Sequence, residues 1–158
     1  MQPVILRTER LVLSMPTLAD VDAITAACQD PEVSRWTTVP SPYTRKDGED
    51  FVGLVADWWA DGVETVWAIR RSDELAGMIG LHKITSHAHG GEAEIGYWGT
   101  AAHRGQGVMG EAGRAVVTSP STSWVSPASR GGLWSGTCLR RAPPAGSDSG
   151  TRGCCARA

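Results

Sequence analysis

A glycine-rich turn that leads directly into a helix is the feature that most constrains this chain. The stretch RGQGVMG, Arg104 to Gly110, precedes a segment with helical apolar spacing that stops near Val117. Glycine has no Cβ, so backbone N–H groups at such a helix start can come close to an anion, and the helix dipole favours negative charge there. The turn predicts a cradle for a pyrophosphate. An ordinary helix entry with glycines would look the same, so the residues before the turn must decide between the two.

The residues before the turn show alternating strand and helix patterns. The stretch TERLVLSM alternates apolar and polar residues, which predicts a half-buried strand. Two helices follow, with Thr17 and Thr44 as predicted N-caps, each with an aspartate three residues on. Pro31 is expected to close the first helix, and Gly62 the second. Three further runs predict an antiparallel meander: TVWAIRR, LAGMIGLHKI and EAEIGYWG.

This order of elements resembles the GNAT superfamily of N-acetyltransferases, in the branch typified by ribosomal-protein alanine acetyltransferases. The resemblance covers residues 7–117 and rests on several short motifs in order: TERLVL, DPEV, PYT, GMIGLH, AEIGYW and RGQGVMGEA. It implies an α/β fold of the layered α+β type, with a mixed, mostly antiparallel sheet flanked by helices. It also implies a cytoplasmic acyltransferase that moves an acetyl group from acetyl-CoA to a primary amine, on a protein N-terminus or a small molecule, by direct attack.

In the resembling enzymes the glycine turn holds the pyrophosphate of acetyl-CoA, and the pantetheine lies along the end of the strand before it. Met109 departs from the wider superfamily, which more often has Gly or Ala at that place. The residues that the resemblance assigns to the cofactor are Ile95, Tyr97, Arg104, Gly105, Gln106, Gly107, Val108, Met109 and Gly110.

Two carboxylates on one predicted strand are candidates for the acceptor side of the site. Glu92 and Glu94 share a strand face, because alternate residues of a strand point the same way. An amine must lose a proton before it attacks a thioester, and a carboxylate can accept that proton directly or through water. In the resembling enzymes a glutamate on this strand often does so, and Glu94 matches it by position. Glu92 is assigned to the substrate pocket, although a solvent-facing strand position fits it better, and the same alternative stays open for Glu94.

Five tryptophans precede the glycine turn in the sequence. Trp36, expected in the loop after the first helix, is predicted to line the acceptor pocket. The others are expected to be mostly core, because the apolar faces of helices and strands require large residues: Trp58, Trp59, Trp67 and Trp98.

Charge and cysteine content restrict the partners. The net charge is −2 and the sequence pI about 6.1, which argues against a general binder of nucleic acid or anionic membranes. No membrane span or leader peptide is visible, and no paired cysteine spacing or histidine arrangement favours a metal. We therefore expect small-molecule or amine partners, no metal, no nucleic acid and no membrane, with a homodimer left open.

The chain changes character after Val117. Residues 1–117 hold 10 Lys and Arg against 16 Asp and Glu, whereas residues 118–158 hold 5 Arg against one Asp. The second segment has no Lys, Ile, Met, Phe or Tyr and is crowded with Ser, Gly and Pro, a composition that cannot bury a core. The sequence therefore predicts an incomplete acetyl-CoA-binding domain over 1–117 and an unrelated tail over 118–158.

The tail matches the family in another reading frame. In this frame each codon takes the third base of one residue's codon and the first two bases of the next residue's codon. With a free choice of synonymous codons for the printed residues, it can encode DVAFDELGLARLERRAVVGNV from Val117 to Cys138 and LGFRYEGLLR from Gly146 to Ala156. Both strings resemble the family's C-terminal parts. A frameshift, in the gene or its sequencing record, is thus one reading of the tail, and a genuine disordered extension is the other. For function, the alternative to an acetyltransferase is an inert, truncated CoA-binding fragment.

Overall fold

A computed structural model of the chain describes residues 2–37, 39–87 and 90–120, and for residues 86, 87 and 90–92 it describes the backbone. The predicted tail from residue 121 on, with its three cysteines and its frame-shifted reading, lies outside the described residues. So does the middle of the predicted hairpin turn at residues 88 and 89.

Among the described residues, five strands form one antiparallel sheet in chain order: β1 (Leu6–Arg7), β2 (Val12–Ser14), β3 (Thr65–Arg71), β4 (Glu74–His87) and β5 (Gly90–Gly99). The predicted meander is confirmed as β3 to β5, and the first predicted strand is β2. Its alternation places Leu13 fully inside, opposite Ile69 of β3. Within the described ranges β5 pairs with β4 alone, so it lies at one edge of the sheet.

Two local irregularities shape β4. The turn that connects it to β3 has Ser72 and Asp73 with φ of 50° and 66°, and a two-residue hairpin turn of the type that matches strand twist needs positive φ at both positions. Farther along, the pairing of β4 with β5 shifts between His82 and Thr85, and Lys83 in that bulge has φ of 51°. A bulge re-aims nearby side chains, and this one lies opposite the part of β5 that carries Glu94.

In the part of the chain that the structure describes, four α-helices flank the sheet: α1 (Val21–Cys28), α2 (Pro31–Trp36), α3 (Arg45–Asp61) and α4 (Val108–Thr118). A single 3-10 turn, Leu18–Asp20, precedes α1. The prediction for Thr44 is confirmed: it is the N-cap of α3, its Oγ1 accepts the N–H of Asp47 at 3.3 Å, and its own N–H donates to Asp47 at 2.8 Å. Thr17 is instead the N-cap of the 3-10 turn, where its N–H donates to Asp20, and Asp20 is the N-cap of α1. Gly62 ends α3 with φ of 71°. The expected stop near Val117 agrees with the observed end of α4 to within one residue.

The prediction that only a loop follows the first helix is wrong. Pro31 is instead the first residue of α2, where its missing N–H has no helical partner to lose. Asp30 caps this helix, and its Oδ1 accepts the N–H of Glu32 at 2.9 Å. Trp36 therefore lies on α2 rather than in a loop.

The core lies between the sheet and its helices. Trp59 of α3 and Trp67 of β3 meet edge to face with ring centroids 5.0 Å apart, and both are 1% exposed. Trp98 is buried as well, and Trp58 packs against the core while partly buried, which agrees with the core prediction. Leu18, in contrast, is exposed, because the residues around it form the 3-10 turn before α1 rather than its apolar face. No helix in the described part of the chain is long and apolar enough to cross a membrane.

Candidate active site

The glycine turn has the backbone geometry that the sequence predicts. Gly105 and Gly107 both adopt left-handed conformations, with φ of 72° and 75°, and Gly107 is the N-cap of α4. A side chain at either position would strain the backbone, which explains the two glycines. By helix geometry the N–H groups of the first turn of α4 have no acceptor within the helix. They are available to an anion in front of the turn. We call residues 104–107 the glycine loop.

A cavity of about 330 Å³ opens beside the glycine loop. Three parts of the fold enclose it: α2 on one side, the end of β5 on another, and the glycine loop with the first turn of α4 on the third. The residues that line it are Glu32, Val33, Trp36, Thr37, Tyr97, Trp98, Gly99, His103, Arg104, Gly105, Gly107, Val108, Met109 and Gly110.

Most of the residues assigned to the cofactor lie around this cavity, and two do not. Ile95 lies farther back along β5, opposite Leu81, and is not among the lining residues. Gln106 is turned away: its Nε2 donates to Ala102 O at 2.7 Å, and its Oε1 accepts from Arg71. The Gln106 side chain thus holds the loop against neighbouring residues of the protein.

One wall of the cavity is built by α2, which sequence reasoning missed. Val33 is buried at the base of this wall, whereas Trp36 is 55% exposed and stands at the opening. The Nε1 of Trp36 donates to Glu32 one turn earlier at 3.4 Å, and the guanidinium of Arg35 lies 5.2 Å from the Trp36 ring. The aspartate–proline pair in DPEV, an N-cap followed by a residue suited to the first helical position, was the signal that could have revealed this helix.

The glycine loop is braced from the N-terminal part of the sheet. Glu111 in the first turn of α4 accepts from Thr8 Oγ1 at 2.5 Å and from Arg10 Nε at 2.8 Å. Arg10 also reaches the carbonyl of Gln106 at 3.4 Å. The pKa of Glu111 is lowered, first by the hydrogen bond from Thr8 and then by the hydrogen bonds and charge of Arg10. Together these exceed the opposing effect of desolvation. The TERL motif at the start of the sequence therefore acts on the loop almost a hundred residues later.

A second ion pair attaches the loop to α2. Arg104 Nη2 donates to Asp30 Oδ2 at 2.7 Å, and Arg104 Nε donates to the carbonyl of Gly99 at 3.2 Å. The pKa of Asp30 is lowered, first by the backbone N–H of Glu32 and then by Arg104, which together exceed the opposing desolvation. Asp30 is thus an ionised group at the junction of α1 and α2.

The proposed base lies on the exposed part of β5. Glu94 pairs with His82 across β4, and the Lys83 ammonium at the bulge donates to Glu94 Oε1. The Glu94 side chain is 51% exposed. It does not line the cavity, which begins three residues later at Tyr97. The backbone of Glu92 pairs with Thr85, and its side chain lies outside the described residues.

A buried histidine lies directly across from Glu94. His82 Nδ1 is 2.8 Å from Glu64 Oε2, and the His82 side chain is 9% exposed. Its Nε2 is buried without a hydrogen-bond partner among the described residues, beside Gly80. Sequence reasoning assigned this histidine no role. The described residues hold no group of three metal-binding side chains.

The glycine loop has the features of an anion site. Gly105 and Gly107 are both left-handed, and a Cβ built at Gly105 would meet no other atom within 4 Å. Successive N–H groups in such a turn, at a helix start, are a recurrent anion site. The adjoining cavity extends from the loop to the end of β5.

Comparison with known proteins points to one family. Residues 10–119 match the model of an acetyltransferase (GNAT) domain. A relative from Bacillus licheniformis, an uncharacterized N-acetyltransferase named p20, is 31% identical over 121 residues. That alignment covers 75% of this chain and 66% of the relative, so the matched region spans slightly less than two thirds of the relative's length.

Two solved structures share the fold. One is RimL, a ribosomal L7/L12 α-N-protein acetyltransferase in complex with coenzyme A, with 21% identity and a TM-score of 0.64; the match covers 73% of this chain and 66% of that one. The other is the microcin C7 self-immunity acetyltransferase MccE in complex with acetyl-CoA and AMP, with 16% identity and a TM-score of 0.63, covering 75% and 67%. At these identities the likeness shows the fold alone.

Proposed function

This chain belongs to the GNAT acetyltransferase family, and on that premise we propose that it transfers an acetyl group from acetyl-CoA to a primary amine. The observation that carries the proposal is the single cavity shared by the glycine loop, the end of β5 and α2. Direct transfer requires that both substrates occupy one space with their reacting atoms in contact. A cavity with an anion cradle on one wall and an exposed tryptophan on another meets that requirement.

The glycine loop and α4 hold the phosphate end in this proposal. Gly105 and Gly107 allow the backbone to approach the pyrophosphate, and the helix dipole of α4 adds favourable potential. Glu111 with Arg10 fixes the first turn of that helix. The loop is therefore arranged by its own protein contacts and needs little rearrangement to receive the anion.

Bound acetyl-CoA supplies the activated acetyl group: the amine nitrogen bonds to the carbonyl carbon, the carbon–sulfur bond breaks, and coenzyme A leaves as a thiolate that takes up a proton. The edge of β5 that faces away from β4 offers backbone N–H groups near the reacting carbonyl. We assign Tyr97 and Ile95 to the contact with the chain of the cofactor along this edge.

Glu94 is assigned to the amine proton. An α-amine has a reference pKa of about 7.7 to 8.0 and is mostly protonated at neutral pH, so a proton acceptor near it raises the reactive fraction. Glu94 is exposed and lies beyond the cavity, so in this proposal its carboxylate acts on the amine through a water. Lys83 holds one of its oxygens, so the other is the one that accepts.

The acceptor is assigned to the α2 wall. Trp36 offers an aromatic face and Glu32 a carboxylate, a pair suited to an amine that arrives as a cation. The names of the two similar structures refer to α-N-acetylation of ribosomal L7/L12 and to self-immunity against microcin C7. We propose a primary amine without a choice between a protein N-terminus and a small molecule.

A second candidate, binding of acetyl-CoA without transfer, has one observation in its favour. Within the described residues β5 has one neighbouring strand, so the outer edge of the cofactor channel has no second wall there. Thiol release over a panel of amines, run beside calorimetric titration with acetyl-CoA, separates the two. Turnover with any amine supports transfer, whereas binding without turnover supports the second candidate and the absence of binding removes both.

A further inference from the structure

We propose that Asp30 is a positioning residue that couples the α2 wall of the cavity to the glycine loop through Arg104. The inference rests on the proposed function, because it joins the wall assigned to the acceptor to the loop assigned to the cofactor. Asp30 itself does not line the cavity; it acts on both walls from behind them.

Arg104 forms the physical link between the two walls. Its guanidinium donates through Nε to the carbonyl of Gly99 and through Nη2 to Asp30 Oδ2. One planar group thus joins the last residue of β5, the glycine loop and the α1–α2 junction. A guanidinium holds its donors in a fixed fork, so a shift of any one partner moves the other two.

Asp30 uses its two oxygens for different partners. Oδ1 accepts the N–H of Glu32 and caps α2, while Oδ2 accepts from Arg104. The side chains of Asp30 and Arg104 are 23% and 39% exposed, so water screens this pair only in part. The helix that carries Trp36 and the loop that holds the pyrophosphate therefore depend on the same carboxylate.

This arrangement couples the two binding events at the cavity. A ligand that holds the glycine loop in its observed position also holds Arg104, and through Asp30 it stabilises the start of α2. The acceptor wall is thus held more firmly when the cofactor loop is occupied. The coupling is reciprocal by thermodynamic linkage, so an acceptor held by Trp36 must also favour the loop conformation that binds acetyl-CoA.

Substitutions can separate the cap from the coupling. Asp30→Asn keeps a good N-cap for α2 but removes the charge that holds Arg104, whereas Asp30→Ala removes both. Arg104→Gln removes the coupling from the other side and leaves the cap intact. Asp50→Asn is the matched control, because Asp50 forms an exposed ion pair with Lys46 on α3, away from the cavity.

Hydrogen exchange of the free protein tests the coupling without any ligand. We expect Arg104→Gln to speed amide exchange in α2 and the residue after it, from Glu32 on, and Asp30→Asn to speed it in residues 104–107, by about threefold or more in each case. The control should change neither segment. If Arg104→Gln leaves residues 32–37 unchanged while circular dichroism shows a folded protein, the coupling is disproved; Arg104→Lys, which keeps the charge but loses the fork, serves if the first variant does not fold.

Binding and kinetics complete the test. Asp30→Asn should weaken acetyl-CoA binding by about threefold or more in calorimetry, and the double variant with Arg104→Gln should be no weaker than the worse single variant. Additive losses would overturn the proposal. A protein that shows coupled exchange but transfers acetyl to no amine refutes the proposed function and leaves the coupling standing, so the two failures are distinct.

Discussion

Arg10 and Glu111 bring the N-terminal part of the sheet onto the first turn of α4, with Nη2 and Oε2 2.5 Å apart. Glu111 is the more buried partner, 14% exposed against 42% for Arg10. Thr8 Oγ1 and the backbone N–H of Arg10 donate to the same side chain, so one carboxylate accepts four protein hydrogen bonds at the base of the glycine loop.

Replacing Glu111 with Ala should therefore destabilise the fold. Loss of charge-assisted hydrogen bonds should lower the free energy of unfolding by about 1–2 kcal/mol, with solvent around Arg10 keeping the loss from being larger. Urea unfolding measures the change. Asp50→Asn, which breaks the exposed Lys46 pair, should cost less than about 0.5 kcal/mol, and equal losses in the two variants would contradict the role given to Glu111.

The same carboxylate predicts a pH dependence. The folded protein holds the pKa of Glu111 below its ordinary value near 4.5, so between the two values the unfolded chain binds more protons than the folded one. The stabilisation is complete above the ordinary value and is lost as the pH falls through the lowered one. Thermal midpoints from pH 7 to pH 3 should therefore fall less steeply in Glu111→Gln than in the parent chain. Parallel curves would show that Glu111 does not contribute to the acid sensitivity.

Replacing Gly107 with Val tests the anion cradle. The residue has φ of 75°, a conformation costly for any L side chain and worse for a β-branched one. We expect the loop to shift and acetyl-CoA binding to weaken by at least about tenfold, or about 1.4 kcal/mol. Gly113→Ala, on α4 where a Cβ meets no atom within 4 Å, is the control and should retain binding. Unchanged affinity in the Val variant would remove the loop from the site.

The role of Glu94 is tested by separating turnover from binding. Glu94→Gln keeps the shape but cannot accept a proton, so kcat should fall, most strongly at neutral pH, while acetyl-CoA affinity stays nearly constant. Glu49→Gln, an exposed glutamate on α3 paired with Arg45, is the matched control for loss of a surface charge. Full turnover in Glu94→Gln at neutral pH would mean that the amine is deprotonated elsewhere, with His82 across the strand as the next residue to examine.

The reading frame after codon 117 gives a prediction about the edge of the sheet. β5 pairs with β4 alone in the described ranges, and its inner face carries partly buried Ile95 and Tyr97. We propose that the shifted frame encodes a strand that completes this edge. Resequencing the DNA tests the frame, and thermal unfolding of both chains tests its consequence: the shifted chain should unfold cooperatively at the higher temperature. A sharp transition of the present chain at an equal or higher temperature would contradict it.

Local signals in the sequence predicted most of the framework, and distant contacts account for what was missed. Thr17 and Thr44 cap helices through residues three positions away, and Ser72 and Asp73 turn a hairpin through their own backbone, so a short window suffices for each. The contact between Arg104 and Asp30 joins residues 74 apart in sequence. No pattern of spacing encodes such a pair, because it depends on how α2 lies against the end of β5.

The helix that carries Trp36 was missed for a related reason. It has six residues, too few for an apolar period to emerge, and proline near its start reads as a stop for the helix before it. Trp36 lines the cavity, while its predicted role toward the acceptor stays a prediction, and its neighbour Glu32 was not considered. The site is thus predictable where one continuous motif forms it and hidden where two separate segments meet.

The hydrogen bonds that Gln106 forms within the protein affect the rate at which the ligand binds. Its carbonyl accepts from Arg10, its side-chain oxygen from Arg71, and its amide donates to Ala102. A loop that is already fixed before the ligand arrives does not have to become ordered after binding. The association rate constant is then set by diffusion, orientation and charge, and not by an opening motion of the loop. Stopped-flow traces should then show a single phase whose rate rises linearly with acetyl-CoA concentration, with no plateau from a slow rearrangement.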